Sequence, residues 1–375
     1  MKAKSALLFL LLSGALNADF SYKVQNANFT IDKSYLYNYD RLRFRGDYTH
    51  NDFFFTFIGD GVNYHGEEYV NSNDFSYVKL QETDAPFKTK TAFREYENTS
   101  VYAKLYRLYS GYEDNENRVI VGLQNVSMGV GRIWNPTNLF NPRNSYSLEP
   151  DETFGVAGVS YTRHLSNNSD MTLVVSQKAN KSFKYAGRYK AFLDFADIGV
   201  DMVSSNETKM IGYEIEGNLG ESGVEVRSEG AYVKNSLRST TSSQEDVEFF
   251  EGIVGADYGF LNGISAIAEA LYSSKSFSYE RILLNNDSEI LPNLVYSKFY
   301  AALTLSYVFN IYLDGSLLYI ESFNDKNSRY VAPTLRYTFN DYNSFTLGAM
   351  LQNGDKESEF GTFENSYYFK WTLTF

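Results

Sequence analysis

Tyr367-Tyr368-Phe369-Lys370-Trp371-Thr372-Leu373-Thr374-Phe375 is the final stretch of the chain, and it alternates apolar and polar side chains. Because side chains alternate across a β-strand, one face collects the apolar set Tyr367, Phe369, Trp371, Leu373 and Phe375. A terminal strand that exposed such a row to water would promote aggregation. The apolar face therefore meets either a protein core or lipid, and the rest of the sequence favours lipid.

The composition is rich in aromatic residues and poor in proline, with 32 Tyr and 29 Phe against 6 Pro. This composition favours strands over helices and over disorder. The mean hydropathy of −0.36 is compatible with a membrane barrel, because a barrel strand needs an apolar residue only at every second position. Beyond the N-terminus, no segment approaches the roughly 18 uninterrupted apolar residues of a spanning helix.

Charge and cysteine content exclude several classes of function. The formal net charge of −12 disfavours nucleic acid as a partner, since binding phosphate requires local positive charge. The chain has no cysteine, which excludes disulfides, a lipid-modified N-terminal cysteine and thiolate chemistry. We see no metal-ligating cluster and no phosphate-binding or dinucleotide-binding motif, so no cofactor is predicted.

The N-terminus is predicted to be a secretory signal peptide spanning residues 1–18. Lys2 and Lys4 precede a short apolar run, and small residues lead to a cleavage site after Ala18. The alternative is a buried N-terminal helix. Residues 19–375 then form a single exported domain.

From about residue 20 onward the chain reads as strands of about ten residues joined by short turns and longer loops. The predicted fold is an all-β, transmembrane, antiparallel up-and-down β-barrel of 18 strands. Sixteen is the alternative if the region 184–206 contributes one hairpin fewer. A soluble β-sandwich remains the competing architecture, because its strands alternate in the same way.

Connection lengths predict the orientation of the barrel. Short turns are expected on the periplasmic side and long loops outside, the longest being 60–99, 127–154, 235–247, 276–297 and 353–365. If the last strand ends in the periplasm, one further strand must precede Arg41, and 20–31 is the only material available for it. The connection 127–154 is then the third external loop.

That loop differs in composition from the other connections. It holds three of the six prolines and one of the two tryptophans, together with Gly129, Gly131 and two Asn-Pro pairs. Glycine permits unusual backbone angles and Asn-Pro favours defined turns, so the loop is expected to be ordered. An ordered loop with Trp134 and Phe140 needs a place to pack, and the barrel interior is the nearest one.

Two stretches carry a resemblance to known proteins. Residues 122–142, with the pattern GxGRxWNPTxxFNP, resemble a motif of Gram-negative outer-membrane porin-like barrels, which often carry Asp where this chain has Asn138. The final strand ending in Phe375 resembles the signal that the barrel assembly machinery reads. The resemblance implies export to the outer membrane and contact with its lipids.

By analogy with porins whose third loop narrows the pore, 127–154 is assigned the constriction. Arg132 and Arg143 are expected to face the acids of the same loop across the pore. The alternative is a brace, in which the loop plugs or supports the wall and Arg132 makes a structural ion pair. The predicted constriction residues are Arg132, Trp134, Asn135, Asn138, Phe140, Arg143, Glu149, Asp151 and Glu152.

A ladder of three arginines, Arg41, Arg43 and Arg45, must face the lumen, because each guanidinium would cost a few kcal/mol (about 2–4) against lipid. The ladder would favour anions, or would pair with acids on neighbouring strands. A similar lumenal network is predicted for Glu214, Glu216, Glu225, Arg227 and Glu229, and Arg336 is placed on the polar face of its strand.

The sequence thus predicts an outer-membrane porin for passive diffusion of small hydrophilic solutes or ions, in which oligomers are possible. One alternative is a barrel that acts in surface structure or adhesion through its loops. An outer-membrane enzyme is disfavoured, because the three histidines are scattered and no nucleophile is placed beside a base.

Overall fold

The computed structural model describes residues 18–32, 35–150, 152–239, 241, 244–323 and 327–375. Of the predicted signal peptide only Ala18 is described, and it begins the first strand. Within these ranges no helix is long and apolar enough to cross a membrane.

Nineteen strands form one antiparallel sheet. They are β1 (Ala18–Ile31), β2 (Tyr35–His50), β3 (Phe53–His65), β4 (Arg94–Tyr96), β5 (Thr99–Glu113), β6 (Asn117–Gln124), β7 (Val156–Ser166), β8 (Ser169–Gln177), β9 (Phe183–Phe192) and β10 (Asp197–Ser204). The remainder are β11 (Thr208–Asn218), β12 (Glu225–Leu237), β13 (Glu245–Gly259), β14 (Ile264–Ser273), β15 (Phe299–Asn310), β16 (Leu313–Ser322), β17 (Ser328–Thr338), β18 (Asn343–Asn353) and β19 (Ser366–Thr374).

Eighteen of these strands pair with their neighbours in sequence and close into a barrel, because β1 also pairs with β19 over nine residue pairs. The remaining strand, β4, is a three-residue segment that pairs with β5 inside a long connection. The prediction of 18 strands is confirmed, and the region 184–206 forms the complete hairpin of β9 and β10. The β-sandwich alternative is wrong.

The two ends of the barrel differ in the length of their connections. At the end that holds Phe375, here the lower rim, the strands are joined by two to six residues. At the upper rim the connections are 32–34, 66–98, 125–155, 178–182, 205–207, 238–244, 274–298, 323–327 and 354–365. The alternation of long and short connections is less regular than predicted, since four upper connections are short. The chain from 125 to 155 is the third upper connection, as predicted.

The wall is apolar outside and polar inside. Outward positions include Leu303, Tyr307, Leu335, Leu347 and Phe369, each with more than a third of its surface exposed. Inward positions include buried Asp201, Glu214, Arg227 and Glu269. An exposed apolar exterior around a charged interior is the arrangement expected of a barrel in lipid.

Short helices occur in two upper connections. Residues 66–98 contain α1 (Glu67–Val70) and α2 (Asn73–Leu80), and residues 274–298 contain α3 (Tyr279–Leu284) and a 3-10 turn (Leu291–Asn293). Ser72 caps α2 by accepting a hydrogen bond from the Phe75 amide. An aromatic cluster of Tyr69 and Phe75 with wall residues Tyr37 and Tyr64 packs the first connection against β2 and β3.

Candidate functional site

The third upper connection, residues 125–155, folds into the barrel, and we call it the inner loop. Met128, Leu139 and Phe140 belong to an apolar cluster with inward residues of the wall, among them Val174 of β8 and Val233 of β12. The loop therefore lies within the bore, as the sequence predicted for a loop that needs a place to pack.

Six consecutive backbone N–H groups of the inner loop, 129–134, donate to three wall glutamates. Glu214 accepts from Gly129 at 2.6 Å. Glu229 accepts from residues 130 and 131 at 2.7 and 3.0 Å, and also from the amide and hydroxyl of Thr137, both at 2.8 Å. Glu269 accepts from residues 132, 133 and 134 at 2.9, 3.1 and 2.8 Å. Every backbone N–H group of this segment thus has a carboxyl oxygen of the wall as its acceptor, and these contacts hold the loop against the wall.

The two glycines of the motif are required by this close approach. Gly129 has φ +88°, and a Cβ at this position would lie 2.5 Å from Glu229 Oε2. A Cβ on Gly131 would lie 1.8 Å from the carbonyl oxygen of Trp134. Both distances are impossible for a carbon atom, and only glycine lets the backbone reach the carboxylates.

Arg132 points to acids of the wall and not to acids of its own loop, which corrects the sequence-based expectation. Its guanidinium lies 2.9 Å from Glu216, 2.7 Å from Glu225 and 3.4 Å from Asp257. The side chain is 41% exposed, so the ion pairs face the water of the bore. Arg227, fully buried below it, shares Glu225 and Asp257.

Arg143 is the second loop arginine, and its guanidinium donates to the carbonyl of Arg132 at 2.6 Å. Asp151, the third acid predicted for the constriction, lies outside the described residues. The described contact of Arg143 thus joins the two halves of the loop.

Several predicted constriction residues stabilise the loop itself. Asn138 is buried and exchanges hydrogen bonds with Asn141. The side-chain amide of Asn135 donates to the backbone carbonyl of Gly131. Phe140 is buried beneath the Lys184 ammonium, 4.8 Å from the ring centre. Trp134 packs on Tyr300 of β15 with ring centres 5.8 Å apart. These contacts match the bracing role for this part of the loop.

The other end of the inner loop is bound to the arginine ladder. Glu149 lies 2.8 Å from Arg41 and accepts from Gln25 of β1 at 2.7 Å. Glu152 lies 2.7 Å from Arg43, which also pairs with Asp60 of β3 at 2.7 Å. Two of the three ladder guanidiniums are therefore engaged by loop acids.

Glu152 is held ionised by this arrangement. Burial alone would raise the pKa of its carboxyl, but hydrogen bonds from Arg43 and the attraction of Arg41 outweigh burial and hold the pKa at about 2. The carboxylate is thus charged throughout the ordinary pH range, and its bond to the ladder is permanent under those conditions.

The remaining predicted lumen residues also pair within the wall. Arg45 pairs with Asp47, and Arg336 lies 2.9 Å from Asp314. Glu214 contacts Arg188 of β9 as well as the loop amide. The arginine ladder is therefore paired locally, but mainly with acids of the inner loop and of β2 itself. Among the described contacts, only the pair of Arg43 with Asp60 of β3 joins the ladder to an acid on a neighbouring strand, as the pairing alternative expected.

The anchor points of the inner loop lie on opposite walls. In the closed ring of eighteen strands, β2, which carries Arg41 and Arg43, is nine strands from β12, which carries Glu229, in either direction. Trp134 at β15 and Tyr146 beside Tyr330 of β17 mark the path between them. The loop therefore extends across or around at least half of the bore.

Sequence reasoning missed the acids Glu269, Asp257 and Asp60. Glu269 lies in the run Ala266-Ile267-Ala268-Glu269-Ala270, where small outward residues make the alternation weak. The sequence did offer one indication of Glu269, because an acid at this position falls on the same face of the strand as the other inward residues. In the described part of the chain, no cluster of His, Cys, Asp or Glu fits a metal ion.

No family model matches the sequence, and no curated protein matches it either. The structure, however, is similar to solved barrels. OccAB1 of Acinetobacter baumannii is 11% identical, with 96% of each chain covered and a TM-score of 0.59. OccK5 (OpdH) of Pseudomonas aeruginosa is 10% identical, with 96% of this chain and 99% of that chain covered and a TM-score of 0.59.

The outer membrane protein OpdK of Pseudomonas aeruginosa is 8% identical, with 96% of this chain and 99% of that chain covered and a TM-score of 0.58. Nearly the whole chain is therefore superposable on these structures. At identities this low the likeness establishes the fold, a closed antiparallel barrel of the outer-membrane type.

Proposed function

We propose that this protein is an outer-membrane porin that passes small hydrophilic solutes or ions by passive diffusion, with the inner loop as its constriction. The observation that carries the proposal is the attachment of one loop to opposite walls of an eighteen-strand bore. A barrel of 16 to 18 strands is wide enough to hold an aqueous channel, and a loop lying across or around it narrows that channel.

The distribution of charge along the bore favours the passage of polar solutes. Acids of β11 to β14 dominate one wall and meet Arg132, while the ladder of β2 occupies the opposite wall. A solute passing between them would meet both signs of charge. Ion pairs of exposed residues such as Arg132 remain in contact with water, as a conducting path requires.

Bracing and constriction are compatible in this geometry. The backbone bonds to Glu229 and Glu269 hold the loop, and the same bonds fix how far its side chains extend into the bore. We therefore assign selectivity to the Arg132 end and to the ladder end. The buried residues Asn138 and Phe140 are assigned to support of the loop.

Conductance in planar lipid bilayers tests the proposal. We expect ohmic channels from the wild type. We expect higher or fluctuating conductance from the double variant Glu229→Gln/Glu269→Gln, because each substitution replaces one of the two acceptor oxygens of the side chain by an NH2 donor. Deleting residues 132–143 should raise the conductance further.

Asp197→Asn is the matched control, since it removes a wall carboxylate that pairs with Lys190 at 3.2 Å and has no contact with the described part of the inner loop. An absence of ohmic conductance in the wild type would reject the porin. If neither the double variant nor the deletion changes the conductance, the inner loop only braces the wall and does not constrict the channel.

The rival functions have weaker support. The His65 ring makes a hydrogen bond to the Thr99 hydroxyl at 2.9 Å, and among the described hydrogen bonds no carboxylate orients that ring. This geometry does not suggest an enzyme. A role in adhesion would rest on the upper loops alone, and bilayer conductance separates it from a porin.

A further inference from the structure

A cavity of about 510 Å³ lies at the upper rim, beside the upper ends of β13, β14 and β15. Nine residues line it, and three of them are cations, Lys275, Arg281 and Lys298, against the single acid Glu245. The whole chain, in contrast, carries a net charge of −12. A locally cationic cavity in an acidic protein favours the binding of an anionic ligand.

Two of the three cations of this cavity, Lys275 and Lys298, are available to a ligand. Among the described residues, no carboxylate lies within ion-pairing distance of Lys275 or Lys298. Arg281 lies 2.9 Å from Glu245, and its Nε makes no hydrogen bond within the part of the chain that the structure describes. A ligand with negatively charged oxygens would supply the missing acceptors.

Serine hydroxyls complete the polar lining. Ser274 accepts from the Phe250 amide at 2.9 Å, and Ser278 accepts from the Arg281 amide at 3.3 Å. Each hydroxyl that accepts a bond retains its own O–H to donate, and Ser276 adds a third. Ammonium, guanidinium and hydroxyl donors around one cavity suit the oxygens of a phosphate group.

The position of the cavity on the wall suggests which phosphate it binds. Tyr272 and Phe299 are paired across β14 and β15, and both rings are about half exposed on the outer surface. Ser274 and Lys275 follow Tyr272 within three residues, and Lys298 directly precedes Phe299. Lys275 and Lys298 of the cavity thus stand next to an exposed aromatic pair, where an apolar band gives way to polar headgroups.

We propose that this cavity binds the phosphorylated headgroup of a membrane lipid, with the lipid chains lying along Tyr272 and Phe299. The proposal rests on the membrane setting of the proposed function, but not on channel activity. A free phosphate would gain the same donors and would lack the apolar contact. A lipid therefore binds more tightly than the isolated anion.

Native mass spectrometry of the purified full chain in detergent tests the proposal, with phosphatidic acid, diacylglycerol and inorganic phosphate as probes. We expect phosphatidic acid to bind, diacylglycerol to bind weakly, and inorganic phosphate to compete poorly. Lys275→Gln/Lys298→Gln should weaken the binding of phosphatidic acid on the order of ten-fold.

Lys181→Gln/Lys209→Gln is the matched control, because it removes two exposed lysines of the upper rim that do not line the cavity. Equal losses in both double variants would show nonspecific charge attraction and overturn the site. Inorganic phosphate binding as tightly as the lipid would overturn the lipid assignment. Conductance of Lys275→Gln/Lys298→Gln should match the wild type, which shows that the variant is folded and separates this test from that of the channel.

Discussion

At the scale of single residues, the inner loop depends on glycines that bring backbone amides against wall glutamates. Gly131 is the most restrictive, because a Cβ there would lie 1.8 Å from the Trp134 carbonyl oxygen. The nearest atom belongs to backbone and not to a mobile side chain. The loop must therefore shift to accept any other residue.

We predict that Gly131→Ala displaces the 129–134 segment and destabilises the protein by about 1–3 kcal/mol, the usual range for overpacking. A lower thermal midpoint together with altered single-channel conductance would report the effect. Gly61→Ala is the control, since a Cβ there has no atom within 4 Å. Equal midpoints for the two variants would contradict the role assigned to Gly131.

A second residue-scale prediction concerns pH. The pKa of Glu152 is about 2 in the folded protein against an ordinary 4.5, so its stabilising contribution is complete above about pH 4.5. The contribution is lost as the pH falls through that interval toward 2. The stability advantage of the wild type over Glu152→Gln should shrink across this window, as thermal midpoints at stepped pH would show. A constant advantage would mean that Glu152 does not titrate there.

The motif could be located from sequence, but its partners could not. Gly129 and its acceptor Glu214 are 85 residues apart, and Arg132 and Glu269 are 137 apart. Such pairs depend on the curvature of the barrel and on strand register, which no local pattern encodes. For the same reason the predicted partners of Arg132 were wrong, while the inward direction of Arg41 followed from alternation alone.

At the scale of elements, β1 was predicted from the direction of the strands and not from its own alternation, and it occupies a decisive position. The alternation of strand directions required a strand before β2, and the structure pairs β1 with both β2 and β19. The β9–β10 hairpin was the other uncertain region, although Lys184, Arg188 and Lys190 of β9 and Asp197 and Asp201 of β10 alternate along its inward face. The presence of β1 followed from counting alternate strand directions back from the last strand. The β9–β10 hairpin was established only by the hydrogen-bond pairing in the structure.

The seam between β1 and β19 can be tested with engineered cysteines, since the chain has none of its own. Asn28 and Phe369 are register partners, so Asn28→Cys/Phe369→Cys should form a disulfide that changes mobility on a denaturing gel. Asn28→Cys/Leu373→Cys is the off-register control, because four residues along a strand displace the pair by ~13 Å. Equal crosslinking in both variants would reject this register.

At the scale of the whole molecule, the apolar exterior must face lipid for the barrel to be stable. Leu303→Arg places a charge in that exterior on β15, whereas Ser306→Arg on the same strand points inward among Ser265 and Ser316. We predict that Leu303→Arg disfavours the membrane-inserted state by up to about 2–4 kcal/mol and that Ser306→Arg has little effect. The fraction folded in lipid vesicles measures both, and equal yields would contradict a lipid-facing wall.

The anchors of the inner loop also impose an order in time. Its ends are held by β2 on one side and by β12 and β14 on the other, and these strands lie on opposite sides of the closed ring. Contacts between such distant parts of a chain form late. We therefore expect the inner loop to dock after the ring has closed, and a barrel captured before that step to have an open interior.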